Sequence, residues 1–250
     1  MTLKVATYNI QLGKRHHSII KNIQALAAQG AQVFCLQELR ITGKHGFLGE
    51  ALLQTLGPGW QAEYFLSPNN NFDHNLAIFW RTDTLQAMKF EKLSLPKLDR
   101  IIFHERMFEQ WKRKDGTPIQ RGALVGTFRA SGQIIRIVDV DLDWQGRFIQ
   151  KQRQLEFLAS HLRQTYADHD IIGGDFNTIG IFPGKQTKKI CQILGPGFTC
   201  TRSRLTRTTT IATVMQSLDY IFVNNAKIHH AHIVKLRGSD HFPLIATLEL

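Results

Sequence analysis

Ile171-Ile172-Gly173-Gly174-Asp175-Phe176-Asn177 decides the fold: an apolar run that reads as a buried strand and ends on an acid and an amide. A carboxylate at the tip of such a strand is costly to desolvate unless it meets a metal, a proton or a hydrogen-bond donor. The same pattern recurs at Thr7-Tyr8-Asn9-Ile10, Leu36-Gln37-Glu38, Ser217-Leu218-Asp219-Tyr220 and Ser239-Asp240-His241. One instance would carry little weight. Five in one chain predict a single cleft assembled from the strand ends of a sandwich, which is an enzyme's layout.

Working outward, strands are expected at Leu3–Ile10, Val33–Leu36, Gln61–Leu66, Leu76–Trp80, Thr84–Leu93, Gly122–Arg129 and Ile134–Leu142. Further strands are expected in the run ending at Asp175 and at Leu218–Val223, Lys227–Val234 and Leu244–Leu250. Helical periodicity marks His17–Gln29, with apolar positions at Ile20, Ile23, Leu26 and Ala27, then Gly49–Leu56. It also marks Arg147–Gln164, with Leu155, Phe157, Leu158 and Leu162 as the packed face, and Lys185–Leu194. The polar stretch from Ser94 to Gln120 reads as a long loop or protruding hairpin, a length usually associated with function or mobility. Two packed sheets with helices outside, built from two similar halves, is the economical α/β architecture. No linker or repeat divides the chain, so residues 1–250 are expected to form one domain.

Lys and Arg number 31 against 20 Asp and Glu, for a net charge of +11. That surplus favours polyanionic partners: nucleic acid first, with anionic lipid or phosphorylated metabolites as alternatives. No apolar run approaches the ~20 residues of a membrane span. The N-terminus enters a strand directly, without the regions of a signal peptide, so the expectation is a cytoplasmic protein. Cys35, Cys191 and Cys200 form no CxxC pair and are expected to be reduced, structural thiols rather than zinc ligands. A monomer is expected.

In this order the motifs resemble the endonuclease/exonuclease/phosphatase superfamily of DNase I-like phosphoesterases, from Asn9 to His241. Gly174-Asp175-Phe176-Asn177, Leu218-Asp219-Tyr220 and Ser239-Asp240-His241-Phe242-Pro243-Leu244 carry most of the likeness. The resemblance implies a four-layer α/β/β/α sandwich of two mostly antiparallel sheets, with the active site at one edge. It implies Mg²⁺ or Mn²⁺ held through Glu38, a hard oxygen ligand, with Asn9 holding a metal ligand or its water and Asp240 as a ligand or its support. Asp175 would orient or deprotonate the attacking water, and Asn177 would donate to a phosphate oxygen or fix the nucleophile. Asp219 would hold His241 in one tautomer and favour its cation, ready to stabilise charge or move a proton.

Arg121 opens a strand where relatives also carry arginine, and a guanidinium there can steady the site's carboxylates or clamp phosphate. Arg202, Arg204 and Arg207 lie in an acid-free, hydroxyl-rich segment between the Asp175 and Asp219 motifs and are expected to touch phosphate. One position departs from the family. Asp141, in Val138-Asp139-Val140-Asp141-Leu142-Asp143, stands where many relatives have a histidine facing phosphate. An ionised aspartate repels phosphate, so the expectation is a second cation held by Asp141, or a protonated Asp141 that donates a hydrogen bond. Alternation places Asp139, Asp141 and Asp143 on one strand face.

The reading is a divalent-metal-dependent phosphodiesterase or nuclease using in-line water attack. Two alternatives stay open: a phosphatase or phospholipase-C-type hydrolase on inositol phosphates or phospholipids, and a non-catalytic binding protein on the same fold.

Overall fold

A computed structural model of the chain describes residues 1–40, 46–66, 75–98, 121–144, 148–178, 183–201 and 217–250. The Arg202–Arg207 segment, residues 99–120 of the expected loop and the Arg147 start of the third helix lie outside them. The described chain forms two six-stranded sheets and four helices. In spatial order the first sheet is β11 (Lys227–Ile233), β12 (Leu244–Glu249), β1 (Thr2–Asn9), β2 (Val33–Leu39), β4 (Asn75–Arg81) and β3 (Trp60–Phe65). The second is β5 (Gln86–Ser94), β6 (Gly122–Ala130), β7 (Gln133–Asp141), β8 (His169–Asp175), β10 (Asp219–Asn224) and β9 (Thr199–Cys200). Only β1–β2 and β7–β8 pair in parallel, and each pair is joined by a segment that carries a helix. The helices are α1 (His16–Ala28), α2 (Leu48–Leu56), α3 (Phe148–Leu162) and α4 (Pro183–Leu194).

Three apolar layers hold the four structural layers together. Val5, Cys35, Ile78, Leu124, Phe128, Ile137, Ile171 and Ile221 interleave between the sheets. Ile19, Ile23 and Leu26 of α1 cover the first sheet, and Leu155, Leu158 and Leu162 of α3 cover the second. Both helices bury side chains at i, i+3/i+4 and i+7 spacing, the stripe that one flank of a helix can present to a sheet. Phe157, expected on the packed face of α3, is exposed instead, because it falls off that stripe. Lys151 occupies the stripe's next position and is buried.

Register places the site. Asp141 lies beside Asp175, and Asp175 beside Asp219, so three adjacent strands of the second sheet end in carboxylates at one level. Strand β8 can run this close to β7 because position 174 is glycine: a Cβ there would sit 2.0 Å from the Val140 carbonyl oxygen. In the first sheet, Asn9 pairs with Gln37 at the matching edge. No helix among the described residues is long and apolar enough to cross a membrane.

Candidate active site

Asp175 is the point where the two sheets meet. Its Oδ1 accepts the backbone N–H of Asn177 at 2.9 Å, closing the tight turn that leaves β8. Its Oδ2 accepts the side-chain amide of Asn9, from the other sheet, at 3.1 Å. His241 Nε2 stands 3.8 Å from the same oxygen. On its other edge, His241 Nδ1 lies 2.8 Å from Asp219 Oδ2. Asn177 adopts a left-handed backbone, φ +48°, which asparagine tolerates better than most residues. That conformation turns its amide towards the Leu142 carbonyl at 2.9 Å and Asp141 Oδ1 at 3.4 Å.

The loop from Leu236 to His241 is tied to β1. Ser239 Oγ donates to the Asn9 carbonyl at 2.7 Å and accepts the His241 backbone N–H at 3.1 Å. The Asn9 side-chain oxygen in turn accepts the Gln11 N–H at 3.0 Å. Glu38 sits on a bulge of β2, where the register slips between Gln37 and Leu39, and its φ is +57°. A bulge re-aims a side chain that simple alternation would send to the opposite face. Here it brings Glu38 to Asn9, which hydrogen-bonds to it, and within electrostatic reach of Asp141, Arg121 and His241.

So many carboxylates in one buried place repel one another. Burial first, then the Asp141 charge, pushes the Glu38 carboxyl up to about 7, although Asn9, Arg121 and His241 pull it down. Asp175 is also raised, by burial and by the charges of Asp219 and Asp141, with His241 opposing. Burial alone would lower His241, but Asp219 and Asp175 override it and raise the imidazole to about 10. At neutral pH His241 is therefore a cation, so both ring nitrogens donate. The second cation is Arg121. Its Nη1 contacts Asp141 Oδ2 and its Nε lies 3.7 Å from Asp143 Oδ1.

Asn9, Glu38, Arg121, Asp141, Asp175, Asn177, Asp219 and His241 are thus brought together at one edge of the two sheets. Asp240 lies beside them, its Oδ1 3.2 Å from Ser239 Oγ, and acts electrostatically on His241 and Tyr8. Asp141 turns its oxygens to Arg121 and Asn177. Asp139 is not in the cleft. It lies between the sheets, accepting from Gln37 Nε2 at 2.5 Å and the Ala77 N–H at 3.2 Å, and burial raises its carboxyl well above the usual range.

Sequence reasoning missed Lys151 and Gln154 on α3. Lys151 Nζ donates to the Asn177 carbonyl, and Gln154 Oε1 accepts the Asp143 N–H at 3.2 Å. The signal was present: Lys151 falls four residues before Leu155, in line with the buried stripe. Asp175, Asp219 and His241 also place possible ligand atoms within 4.8 Å of one another. Because His241 Nδ1 is committed to Asp219, that trio is better suited to handling protons than to holding an ion. The oxygen-rich corner of Glu38 and Asn9 has the hard donors, and the half-neutralised acid, that a divalent cation would relieve.

The sequence profile of the Endonuclease/Exonuclease/phosphatase family matches residues 6–241. The chain belongs to that family. No curated protein matches the sequence significantly. Solved structures share the family fold at low identity. An endonuclease/exonuclease/phosphatase from Bacteroides vulgatus superposes with a TM-score of 0.73 at 15% identity, covering 100% of this chain and 99% of the other. D. rerio TDP2 complexed with a single-strand DNA product gives 0.70 at 15%, covering 100% and 99%. ANGEL2, a 2′,3′-cyclic phosphatase, gives 0.69 at 15%, covering 99% and 95%.

Proposed function

We propose that this member of the family hydrolyses phosphodiesters by direct attack of water, with nucleic acid as the substrate class. The observation that carries this reading is the double use of Asp175 Oδ2. That oxygen takes the Asn9 amide from one sheet and faces the His241 cation, which Asp219 holds from behind. A buried carboxylate with a raised pKa is a competent base towards water, and a fixed imidazolium beside it can receive developing negative charge.

In this reading Asp175 orients the attacking water and takes its proton as the new phosphorus–oxygen bond forms. Asn177, pinned at its carbonyl by Lys151, fixes the turn around that base while its amide ties the turn to the Leu142 carbonyl and Asp141. His241 steadies the charge on phosphoryl oxygen and supplies a proton to the departing alkoxide. Glu38 and Asn9 would hold Mg²⁺ or Mn²⁺, flanked by Asp240. A cation bound there supplies a Lewis acid for the phosphoryl oxygens. Arg121 keeps Asp141 neutralised, so the cleft can accept an anion at a position where a bare aspartate would repel it.

Nucleic acid is preferred as substrate because of the +11 net charge and because one fold neighbour was solved with single-strand DNA product. The test is a panel of single-stranded DNA, RNA, phosphoinositides and bis-p-nitrophenyl phosphate, each with Mg²⁺, Mn²⁺ or chelator. The expected outcome is metal-dependent cleavage of the synthetic diester and of at least one nucleic acid. Turnover confined to phosphoinositides would overturn the substrate, and no turnover of any phosphoester would overturn the enzyme reading.

A further inference from the structure

Several stretches of this chain carry no acid, and two of them are neighbours in the fold. Although the whole sequence holds 20 Asp and Glu, none falls in residues 1–37 and none in residues 225–239. The fold brings the two together. Asn22 of α1 donates its side-chain amide to the Arg237 carbonyl at 3.3 Å and to the Tyr8 hydroxyl at 3.0 Å. Gly238 packs so tightly on α1 that a Cβ there would lie 2.7 Å from the Asn22 amide nitrogen and 3.2 Å from Ser18 Cβ. Val234 and Leu236 join the apolar cluster of Ile19 and Ile23 beneath. The loop and the first half of α1 are therefore one surface.

That surface is cationic and exposed. Lys14, Arg15 and Lys21 project from the start of α1, and Lys235 and Arg237 from the loop, all in contact with solvent. The first turn of α1, where Ser18 meets Gly238, adds the positive pole of the helix's peptide dipoles. The patch also adjoins the cleft. Residues 11–15 continue directly from Asn9, and Arg237 is followed within four residues by Ser239, Asp240 and His241. Ser239 Oγ binds the Asn9 carbonyl, so both cationic segments leave the active site from a single anchor point.

We infer that the face formed by the start of α1 and the 235–237 loop is the docking surface along which a nucleic-acid strand enters or leaves the cleft. The inference rests on the phosphodiesterase reading and adds the path of the polymer beyond the scissile bond. Five cations with no acid among them suit a chain of phosphates, each of which releases counterions when neutralised. A membrane fits less well, since surface-bound elements add an exposed apolar face to their basic one. Among the described residues the exposed large apolar side chains are Leu66, Met88, Ile149, Phe157 and Tyr166, and none belongs to this face.

The test measures binding of a fluorescein-labelled single-stranded oligonucleotide by the full chain, by anisotropy across a salt series, without metal so that nothing is cleaved. Two charge reversals are compared with the parent: Lys14→Glu/Arg15→Glu and Lys235→Glu/Arg237→Glu. Arg129→Glu/Arg163→Glu, on exposed positions of the other half, serves as the control, with thermal melts to verify folding of each. Both rim variants should weaken Kd by at least ~10-fold and flatten the salt dependence by about 0.7 for every phosphate no longer neutralised, while the control binds as the parent does. Rim variants that bind like the parent, or a control that weakens binding as much, would overturn the inference while leaving the hydrolase reading intact. A parent that ignores the oligonucleotide but binds vesicles containing phosphatidylserine would overturn it in favour of a membrane. Rim-dependent binding by a protein that cleaves no phosphoester would support the docking face and remove the catalytic reading. Should a rim variant fail to fold, the neutral pair Lys14→Gln/Arg15→Gln replaces it, with the same direction expected and the same result overturning the inference.

Discussion

Arg121 and Asp141 form an ion pair sealed from water, 2% and 1% exposed, across the paired ends of β6 and β7. Asp143 and Glu38 add their charges to Asp141's in favouring the guanidinium cation, against the cost of burying it. The pair gives the Asp141 carboxylate a fixed cationic partner at the end of its strand. The acid is not a bare charge, because its arginine partner is buried beside it.

Removing one member of a buried pair strands the other. Arg121→Met is expected to cost roughly 3–5 kcal/mol of stability in a guanidinium chloride titration, whereas Arg121→Met/Asp141→Leu should recover most of it. The double variant should still be inactive, since Asp143, Glu38 and Asp175 have lost the nearby guanidinium charge. A single variant as stable as the parent would show that the pair is not desolvated as described.

The sign of the His241 shift sets its pH dependence. Its pKa is raised in the folded protein to about 10 from an ordinary 6.5, so its ionic contribution to stability is complete below about 6.5. That contribution fades as pH climbs through about 10. Asp219→Asn removes the largest of the charges that raise it. The variant should lose stability relative to the parent at neutral pH, with the gap closing in alkali. The alkaline limb of its kcat profile should also move down by at least about one pH unit, a shift that a merely structural role for Asp219 would not produce. An unmoved alkaline limb would mean that another group governs it.

Much of this was legible in the sequence because buried strands announce themselves as apolar runs, and because each site acid stands at the end of one. The two-residue β9 is too short to show any period. Asp139 shows the limit of alternation: it does share a face with Asp141, but lies two residues, roughly 6–7 Å, further down the strand, beneath the cleft and between the sheets. Glu38 depends on a bulge, and a left-handed φ at a glutamate leaves no mark in composition. Lys151 was passed over because lysines on helices are ordinarily solvated. Its place in the stripe of Leu155, Leu158 and Leu162 was the clue.

Lys151→Met tests that residue. Methionine suits the apolar stripe, so the change in stability should stay near the ~1–3 kcal/mol of leaving the Asn177 carbonyl without its donor. Activity should suffer more, with kcat down at least ~10-fold and KM little changed, because the turn that holds Asn177 and Asp175 loosens. Arginine at 151 should restore part of the activity. Full kcat in Lys151→Met would assign the ammonium to packing alone.

The central claim is that Glu38 and its neighbours hold the divalent cation on which phosphodiester hydrolysis depends. It is tested most directly by titrating Mn²⁺ into the parent and into Glu38→Gln by calorimetry, in parallel with turnover of bis-p-nitrophenyl phosphate. With Glu38 at about 7, the parent should bind the ion more weakly at pH 6 than at pH 8 and release protons as it binds. Glu38→Gln should melt like the parent, bind no ion at the site and show no turnover above background. A Glu38→Gln protein that keeps full, chelator-sensitive activity would contradict the account.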